Sequence, residues 1–292
     1  MKETQLSPFY INQIVAEALD EDAGKGDITS DVLIPADLQG RAYLLVKEEG
    51  IIAGTGVVER VFHQIDSTTR LSIQLEDGTP VKNGDVPILV SGCVRSILRA
   101  ERVALNFFQR MCGIASMTAR YVAQVNDLGV DIADTRKTTP TLRALEKYSV
   151  KMGGGRNHRM HLGDAVLIKD NHIIALRALG LSYRDIVNKA RTNTPPGIKI
   201  ESEASTIQEA MDAVEAGVDI VMLDNMTVTE MQRAVEIIAG RAEVEASGNV
   251  TLKNVREVAL TGVDFISIGA LTHSSKALDI SLELEPQTFK LF

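Results

Sequence analysis

Residues 219–270 read DIVMLDNMTVTEMQRAVEIIAGRAEVEASGNVTLKNVREVALTGVDFISIGA, and the rhythm inside them decides the fold. Short apolar runs, DIVMLDN, AEVEAS and DFISIGA, alternate with longer segments of helical period. The unit repeats at twenty-odd-residue intervals, so that Asp224, Ser247 and Gly269 mark equivalent strand ends. Runs that are apolar on both faces and joined through helices belong to a parallel sheet covered by helices. Working backwards, VDIADT (130–135), AVLIKDN (165–171) and IKIESE (198–203) supply three earlier strands. A seventh run, ALDISLELE (277–285), closes the set or passes back to the preceding part. The expectation is an α/β protein whose larger part, residues 113–292, is a (β/α) barrel.

Residues 1–112 follow another pattern. Ile11, Ile14, Val15, Ala18 and Leu19 stand at helical spacing, and EDAGKGDITSD (21–31) is a turn-rich loop. RAYLLVKEE, GIIAGTGV, LSIQLEDG and VPILVSG are short apolar or alternating runs divided by Gly, Pro and Asn. They predict the strands of a smaller α/β domain, with an Asn-Gly turn at 81–85. A helix starting at Arg95 (RSILRAERVALNFFQRMCGIAS) bridges the two parts. Leu98, Leu105 and Phe108 take one side and Arg95, Arg99, Arg102 and Asn106 the other. Arg95 and Arg99 read as a solvated face, whereas Arg102 lies at the margin of the apolar stripe, placed to enter an interface.

With 292 residues and 45% hydrophobic content the chain can bury a substantial core. The start, MKETQLSPFY, lacks a basic segment followed by an apolar one, and no run approaches the ~18 apolar residues of a membrane span. A cytoplasmic protein without a membrane partner is expected. Cys93 and Cys112 have no metal-ligand spacing and read as small buried thiols. Against a formal net charge of -8, the window Asp134–His172 sets eight Lys and Arg beside four Asp and Glu, together with His158, His161, His172 and Gly153–Gly155. Each cation sits in its own short motif beside Thr, Gly, Asn or Asp. That pattern predicts a pocket for a small, highly anionic molecule and no nucleic-acid partner.

A barrel places its active site at the carboxyl ends of the strands and in the loops after them. Here those ends are Thr135-Arg136-Lys137, Lys169-Asp170-Asn171, Glu201-Ser202-Glu203, Leu223-Asp224-Asn225, Ser247-Gly248-Asn249 and Ser267-Ile268-Gly269. Asp134 and Asp170 read as caps or ion-pair partners, and Thr138-Thr139-Pro140 as the start of a helix carrying Leu142 and Leu145. The last two ends put backbone N–H groups ahead of helix starts, where barrels commonly hold phosphate. Glu203 and Asp224 can bind sugar hydroxyls, hold Mg2+ or stabilise a developing cation. Forked arginines suit carboxylates and lysines suit phosphate, so a sugar phosphate meeting an aromatic acid fits the inventory. Zinc on His158 and His161 lacks a third ligand in the sequence.

In their order along the chain, GDITS (26–30), AERVALNFFQRMCGIAS (100–116), DTRKTTP, GGGRNHR, LIKDNH, ESE, MLDN, EASGN and SIGALTHS resemble the quinolinate phosphoribosyltransferase family, from about Val15 to Leu284. The resemblance implies an N-terminal α/β sandwich followed by an open (β/α) barrel of about seven strands. It also implies a homodimer in which each sandwich helps cover the neighbouring barrel mouth. The implied activity transfers phosphoribosyl from phosphoribosyl pyrophosphate to quinolinate with decarboxylation, giving nicotinate mononucleotide, pyrophosphate and CO2 in NAD biosynthesis, with Mg2+ as cofactor. On this resemblance Arg136, His158 and Arg159 hold quinolinate, joined by Arg102 from the neighbouring subunit. Lys137 and Lys169, with Thr135 beside them, meet the pyrophosphate donor and the reacting carboxylate. Glu203 and Asp224 meet the ribose hydroxyls and Mg2+, directly or through substrate. Ser247, Gly248 and Asn249 with Ser267, Ile268 and Gly269 form the 5'-phosphate region. Lys137, Lys169, Glu203 and Asp224 are the implied catalytic residues, the spacing to Asp224 selecting Glu203 over Glu201. ESEAS departs from the more apolar alternation usual at that strand.

Two other readings use the same residues. Lys169, at the end of AVLIK, stands where a Schiff-base lysine of a barrel aldolase would stand. An anion-binding or molybdenum-transport-associated paralogue would bind without turnover. The complete set Arg136, His158, Arg159 and Glu203 favours the enzyme.

Overall fold

Pro8 opens the first helix, α1 (Pro8–Ala23), whose buried Ile14, Val15 and Leu19 are three of the residues selected by their spacing. The structure, a computed structural model, describes residues 6–291. α2 (Ile28–Leu33) begins where Asp27 accepts a hydrogen bond from the Ser30 N–H at 3.1 Å. β1 (Gln39–Val46), β2 (Gly50–Ile51), α3 (Thr55–Ile65), β3 (Arg70–Ile73), β4 (Pro80–Val81) and β5 (Ile88–Cys93) follow. GIIAGTGV, expected as a strand, is extended only at its start. Gly54 turns the chain at φ 98°, and Val57, Val58, Val61 and Phe62 then bury one side of a helix. The Asn-Gly turn is present, with the Asp85 N–H donating to Lys82 O at 3.1 Å.

α4 (Val94–Val125) runs past Ser116, its expected end. Gly113 does not stop it. A Cβ there would stand 2.0 Å from Lys276 O, so the glycine serves close packing, not a bend. The boundary expected between residues 112 and 113 falls inside this helix. Beyond it come β6 (Asp131–Ala133), α5 (Arg143–Met152), β7 (Val166–Ile168), α6 (Asp170–Arg177), α7 (Tyr183–Asn193), β8 (Ile200–Ala204) and α8 (Ile207–Ala216). β9 (Ile220–Asp224), α9 (Val228–Ile238), β10 (Glu243–Ser247), α10 (Val255–Ala259), β11 (Phe265–Ser267), α11 (Ala270–His273) and β12 (Ile280–Leu284) complete the chain order.

The chain divides into two compact units. The first contains the residues up to Ala119, Pro140–Gly154, and those from Ser274 onward. Its antiparallel sheet has the order β12-β1-β5-β3, with Ala42 opposite both Leu284 and Val90. ALDISLELE thus passes back to the first sheet and adds no seventh barrel strand. The core joins Leu44, Phe62, Ile97, Phe108 and Met111, while Leu98, expected in the apolar stripe, is half-buried. Leu145 brings α5 into this same core. That helix begins at Arg143, later than the Thr-Thr-Pro start expected, because Thr141 takes the left-handed φ of 69°. Cys112 is buried as expected, but Cys93 is only half covered, its Sγ 3.4 Å from Ala36 O.

The second unit, Arg120–Thr139 with Gly155–His273, holds a parallel sheet of the order β6-β11-β10-β9-β8-β7. It has six strands where about seven were expected, with helices between successive strands. The register places Glu203, Met222, Glu245 and Phe265 in one row across the sheet and Asp224, Ser247 and Ser267 in the next. β7 and β9 are apolar on both faces as predicted. β8 and β10 alternate, with Glu201, Glu203, Glu243 and Glu245 on one face, from which Glu203 and Glu245 line a polar cavity.

Candidate active site

A cavity of about 720 Å³ is lined from the carboxyl ends of the parallel strands of the second unit. Thr135, Arg136 and Lys137 enter after β6, His158 and Arg159 from the loop before β7, and Lys169 after β7. Glu203, Asp224, Ser247, Gly248, Asn249 and Ser267 come from the later strand ends. Ile268 and Gly269 do not line it. Gly269 instead makes room for Lys137, since a Cβ there would lie 3.0 Å from the lysine Cδ. Arg102 is exposed on α4 in the first unit and is not among the lining residues. His161 is also exposed, and His172 caps α6 by accepting the Lys169 N–H on Nδ1 at 3.0 Å.

Asp134 plays the capping part expected of it. Fully buried, it accepts the His158 N–H at 2.9 Å and the Asn157 side-chain amide at 2.6 Å. Arg156 joins the edge of the sheet as a bridge to Ala133, its N–H donating to Ile132 O at 2.7 Å. Together these contacts fix the Gly-rich segment so that His158 and Arg159 face the cavity. Lys137 is held through its backbone, its N–H donating to Thr135 Oγ1 at 3.0 Å and its carbonyl accepting from the Thr272 hydroxyl at 2.8 Å.

The walls are electrostatically divided. Burial, and then the neighbouring Arg136 charge, hold the Arg159 guanidinium below its usual range. Lys169 Nζ pairs with Glu203 Oε1. Asp224 accepts from Asn225 Nδ2 at 3.0 Å, and Asn225 Oδ1 accepts from Asn249 Nδ2 at 2.9 Å. α10 begins only at Val255, so the Ser247–Asn249 bend offers its own backbone and no helix start.

The floor holds what the sequence reading missed. His158 Nε2 lies 3.2 Å from Glu245 Oε2 and 3.3 Å from Glu201 Oε2, with those side chains 0% and 1% exposed. Glu201 had been set aside for Glu203, and Glu245 was not singled out. The available signal was glutamate at alternate positions of two strands whose other residues are buried. His158 Nδ1 accepts the Arg159 N–H at 2.8 Å, which leaves the ring proton on Nε2. Two tendencies compete for the floor's protons. Burial lowers His158 but Glu201 and Glu245 together raise it to about 9, while burial pushes Glu245 up to about 7. The occupied Nδ1 decides for a neutral ring, and one N–H then serves two buried carboxyl groups, so a proton resides on the pair.

The His158, Glu201 and Glu245 ligand atoms lie within 4.8 Å of one another. With Nε2 protonated toward the acids, that cluster presents an N–H in place of a metal-binding lone pair. Glu203 and Asp224 suit Mg2+ better, because that ion is commonly held by one or two carboxylates together with substrate phosphates. Arg136 Nε, Glu201 Oε1, Glu245 Oε1 and Ser267 Oγ are buried polar atoms without a protein partner, three of them on residues that line the cavity.

The family described as quinolinate phosphoribosyl transferase, C-terminal domain, matches residues 114–283, and its N-terminal domain matches residues 27–112. The mitochondrial quinolinate phosphoribosyltransferase (decarboxylating) 2 of Nicotiana glauca is 41% identical over 297 residues, covering 96% of this chain and 84% of the relative. The probable nicotinate-nucleotide pyrophosphorylase (carboxylating) of Synechocystis is 41% identical over 285 residues, covering 96% and 95%. The crystal structure of NadC from Streptococcus pyogenes superposes with a TM-score of 0.91 at 40% identity, over 99% of both chains.

Proposed function

This chain belongs to the quinolinate phosphoribosyltransferase family, and on that premise we propose how its cavity carries out the family's reaction. That reaction is the decarboxylating transfer of phosphoribosyl from phosphoribosyl pyrophosphate to quinolinate, which yields nicotinate mononucleotide for NAD biosynthesis. The reading is carried by one arrangement: Arg136, Lys137, Arg159 and Lys169 share a cavity with Glu203 and Asp224, in a space sized for two small polyanions.

Arg136 and Arg159, with His158 beneath them, hold the two quinolinate carboxylates, since forked guanidinium groups bind them bidentately. Lys137 and Lys169 meet the pyrophosphate, Lys169 exchanging its Glu203 partner for the donor. Glu203 and Asp224 take the ribose hydroxyls, and Ser247, Gly248 and Asn249 with Ser267 surround the 5'-phosphate. Mg2+, held by Glu203 and Asp224 or through substrate, supplies charge neutralisation for the pyrophosphate.

Two reactants that repel each other in water are thereby held together, which supplies much of the acceleration. The pyridine nitrogen attacks the ribosyl carbon as pyrophosphate leaves. The alkylated nitrogen then withdraws electrons from the ring, and the adjacent carboxylate departs as CO2. Arg102, exposed on α4, completes the acid site of a second subunit in a cytoplasmic homodimer.

The test is production of nicotinate mononucleotide from quinolinate, phosphoribosyl pyrophosphate and Mg2+, with nicotinate as control acceptor. Turnover of quinolinate alone is expected. Binding of both substrates without turnover would return the chain to an anion-binding role.

A further inference from the structure

When CO2 leaves the ribosylated pyridine, the C–C bond breaks and its electron pair stays on the ring carbon beside the nitrogen. That carbon must take up a proton before nicotinate mononucleotide is complete, so the site needs an acid. The arginines of the cavity do not release protons, and Lys137 and Lys169 are committed to the polyanions. Glu245 is different. It lines the cavity from β10, is fully buried, and leaves Oε1 without a protein partner. Its Oε2 faces the His158 N–H, which Glu201 shares from two strands away. Ser267 approaches from β11, and Met222 and Phe265 flank Glu245 in its row. A buried carboxyl group so placed, competing with a second acid for one N–H, keeps a proton near neutral pH. Burial pushes it up to about 7.

We propose that Glu245 is the acid that protonates the ring carbon as CO2 leaves, with His158 as the group that positions it. The assignment rests on the quinolinate reading above. The Glu245 O–H bond breaks as the new ring C–H bond forms, CO2 departs with the carbon it already holds, and the Glu245 carboxylate left behind accepts the His158 Nε2–H. A solvent proton restores the acid after product release. Glu201 meets the same N–H but does not line the cavity, so it tunes the pair without touching substrate.

The experiment is a single-turnover quench of the full chain with phosphoribosyl pyrophosphate, Mg2+ and quinolinate labelled in its 2-carboxylate, reading pyrophosphate and CO2 separately. In the wild type the two appear together. Glu245→Gln is expected to form pyrophosphate and to accumulate ribosylated quinolinate that retains its carboxylate. CO2 release should slow by about a hundred-fold or more, and its pH limb near 7 should vanish. Glu201→Gln should keep the two products matched. CO2 release by Glu245→Gln at the wild-type rate, or equal slowing of both products, would overturn the assignment. Glu245→Asp, which keeps an acid one methylene further back, covers the case in which the Gln variant does not fold: slower CO2 release with the pH limb retained supports the role, and unchanged release removes it. A wild type that converts no quinolinate would instead remove the underlying reading.

Discussion

A Cβ on Gly248 would stand 2.2 Å from Asn225 Oδ1, within the contacts that tie two strand-end loops together. Asn225 donates to Asp224 and accepts from Asn249, and Gly248 itself takes φ 90°. Gly248→Ala therefore displaces the Asn225 amide and, through it, the Asp224 carboxylate. Strain of about 1–3 kcal/mol corresponds to roughly five- to 150-fold weaker binding on the donor side. The expected result is a raised KM for phosphoribosyl pyrophosphate with the Kd for quinolinate, measured alone, little changed. Equal weakening of both would show that the bend supports the whole cavity.

Lys169 and Glu203 are predicted to act as a pair. Lys169→Ala leaves a largely buried carboxylate facing the pyrophosphate without its ammonium, whereas Lys169→Ala/Glu203→Ala removes both charges. Steady-state kinetics across the double-mutant cycle should show coupling of about 0.5–3 kcal/mol in kcat/KM. Additive losses would mean that the lysine meets the donor independently of the glutamate.

The repeated strands of the second unit and most of the cavity lining were legible because each strand end combines a short apolar run with a polar residue at a recurring interval. Arg136, Lys137, Lys169, Glu203 and Asp224 were found this way, His158 and Arg159 through the basic GGGRNHR segment, and the cavity brings them together. The interior row was harder to see. Glu201 and Glu245 lie inside strands, where a buried carboxyl group is intelligible only once the histidine facing it is known. The extent of α4 and the return of β12 to the first sheet depend on packing between residues distant in sequence, such as Gly113 against Lys276 and Ala42 against Leu284. No local pattern specifies those contacts.

Arg102 provides the test of a shared site. It is exposed on α4, yet its motif places it with the quinolinate residues. Arg102→Ala and Lys137→Ala subunits, each inactive alone, should regain up to about a quarter of wild-type activity when unfolded together and refolded, because random pairing leaves one intact site in half of the dimers. Mixed dimers verified by mass spectrometry and still inactive would place Arg102 outside the site.

The location of the buried proton also governs stability. The Glu245 carboxyl is pushed by burial up to about 7 from its ordinary 4.5. Between those pH values the folded chain keeps a proton that the unfolded chain has released, so the contribution is complete below 4.5 and is lost as pH rises through 7. At about 1.4 kcal/mol per pH unit this amounts to roughly 3 kcal/mol. Urea unfolding at pH 5, 6, 7 and 8 should therefore show the wild type losing stability relative to Glu245→Gln by about that amount, with most of the loss complete by pH 7. A doubly protonated His158 would behave differently. Burial lowers that ring but Glu201 and Glu245 would hold it at about 9 against its ordinary 6.5, so its contribution would be complete below 6.5 and lost as pH rises from there through 9. A difference curve that is flat from pH 5 to about 6.5 and falls from there toward pH 9 would move the proton to the imidazole and leave Glu245 ionised.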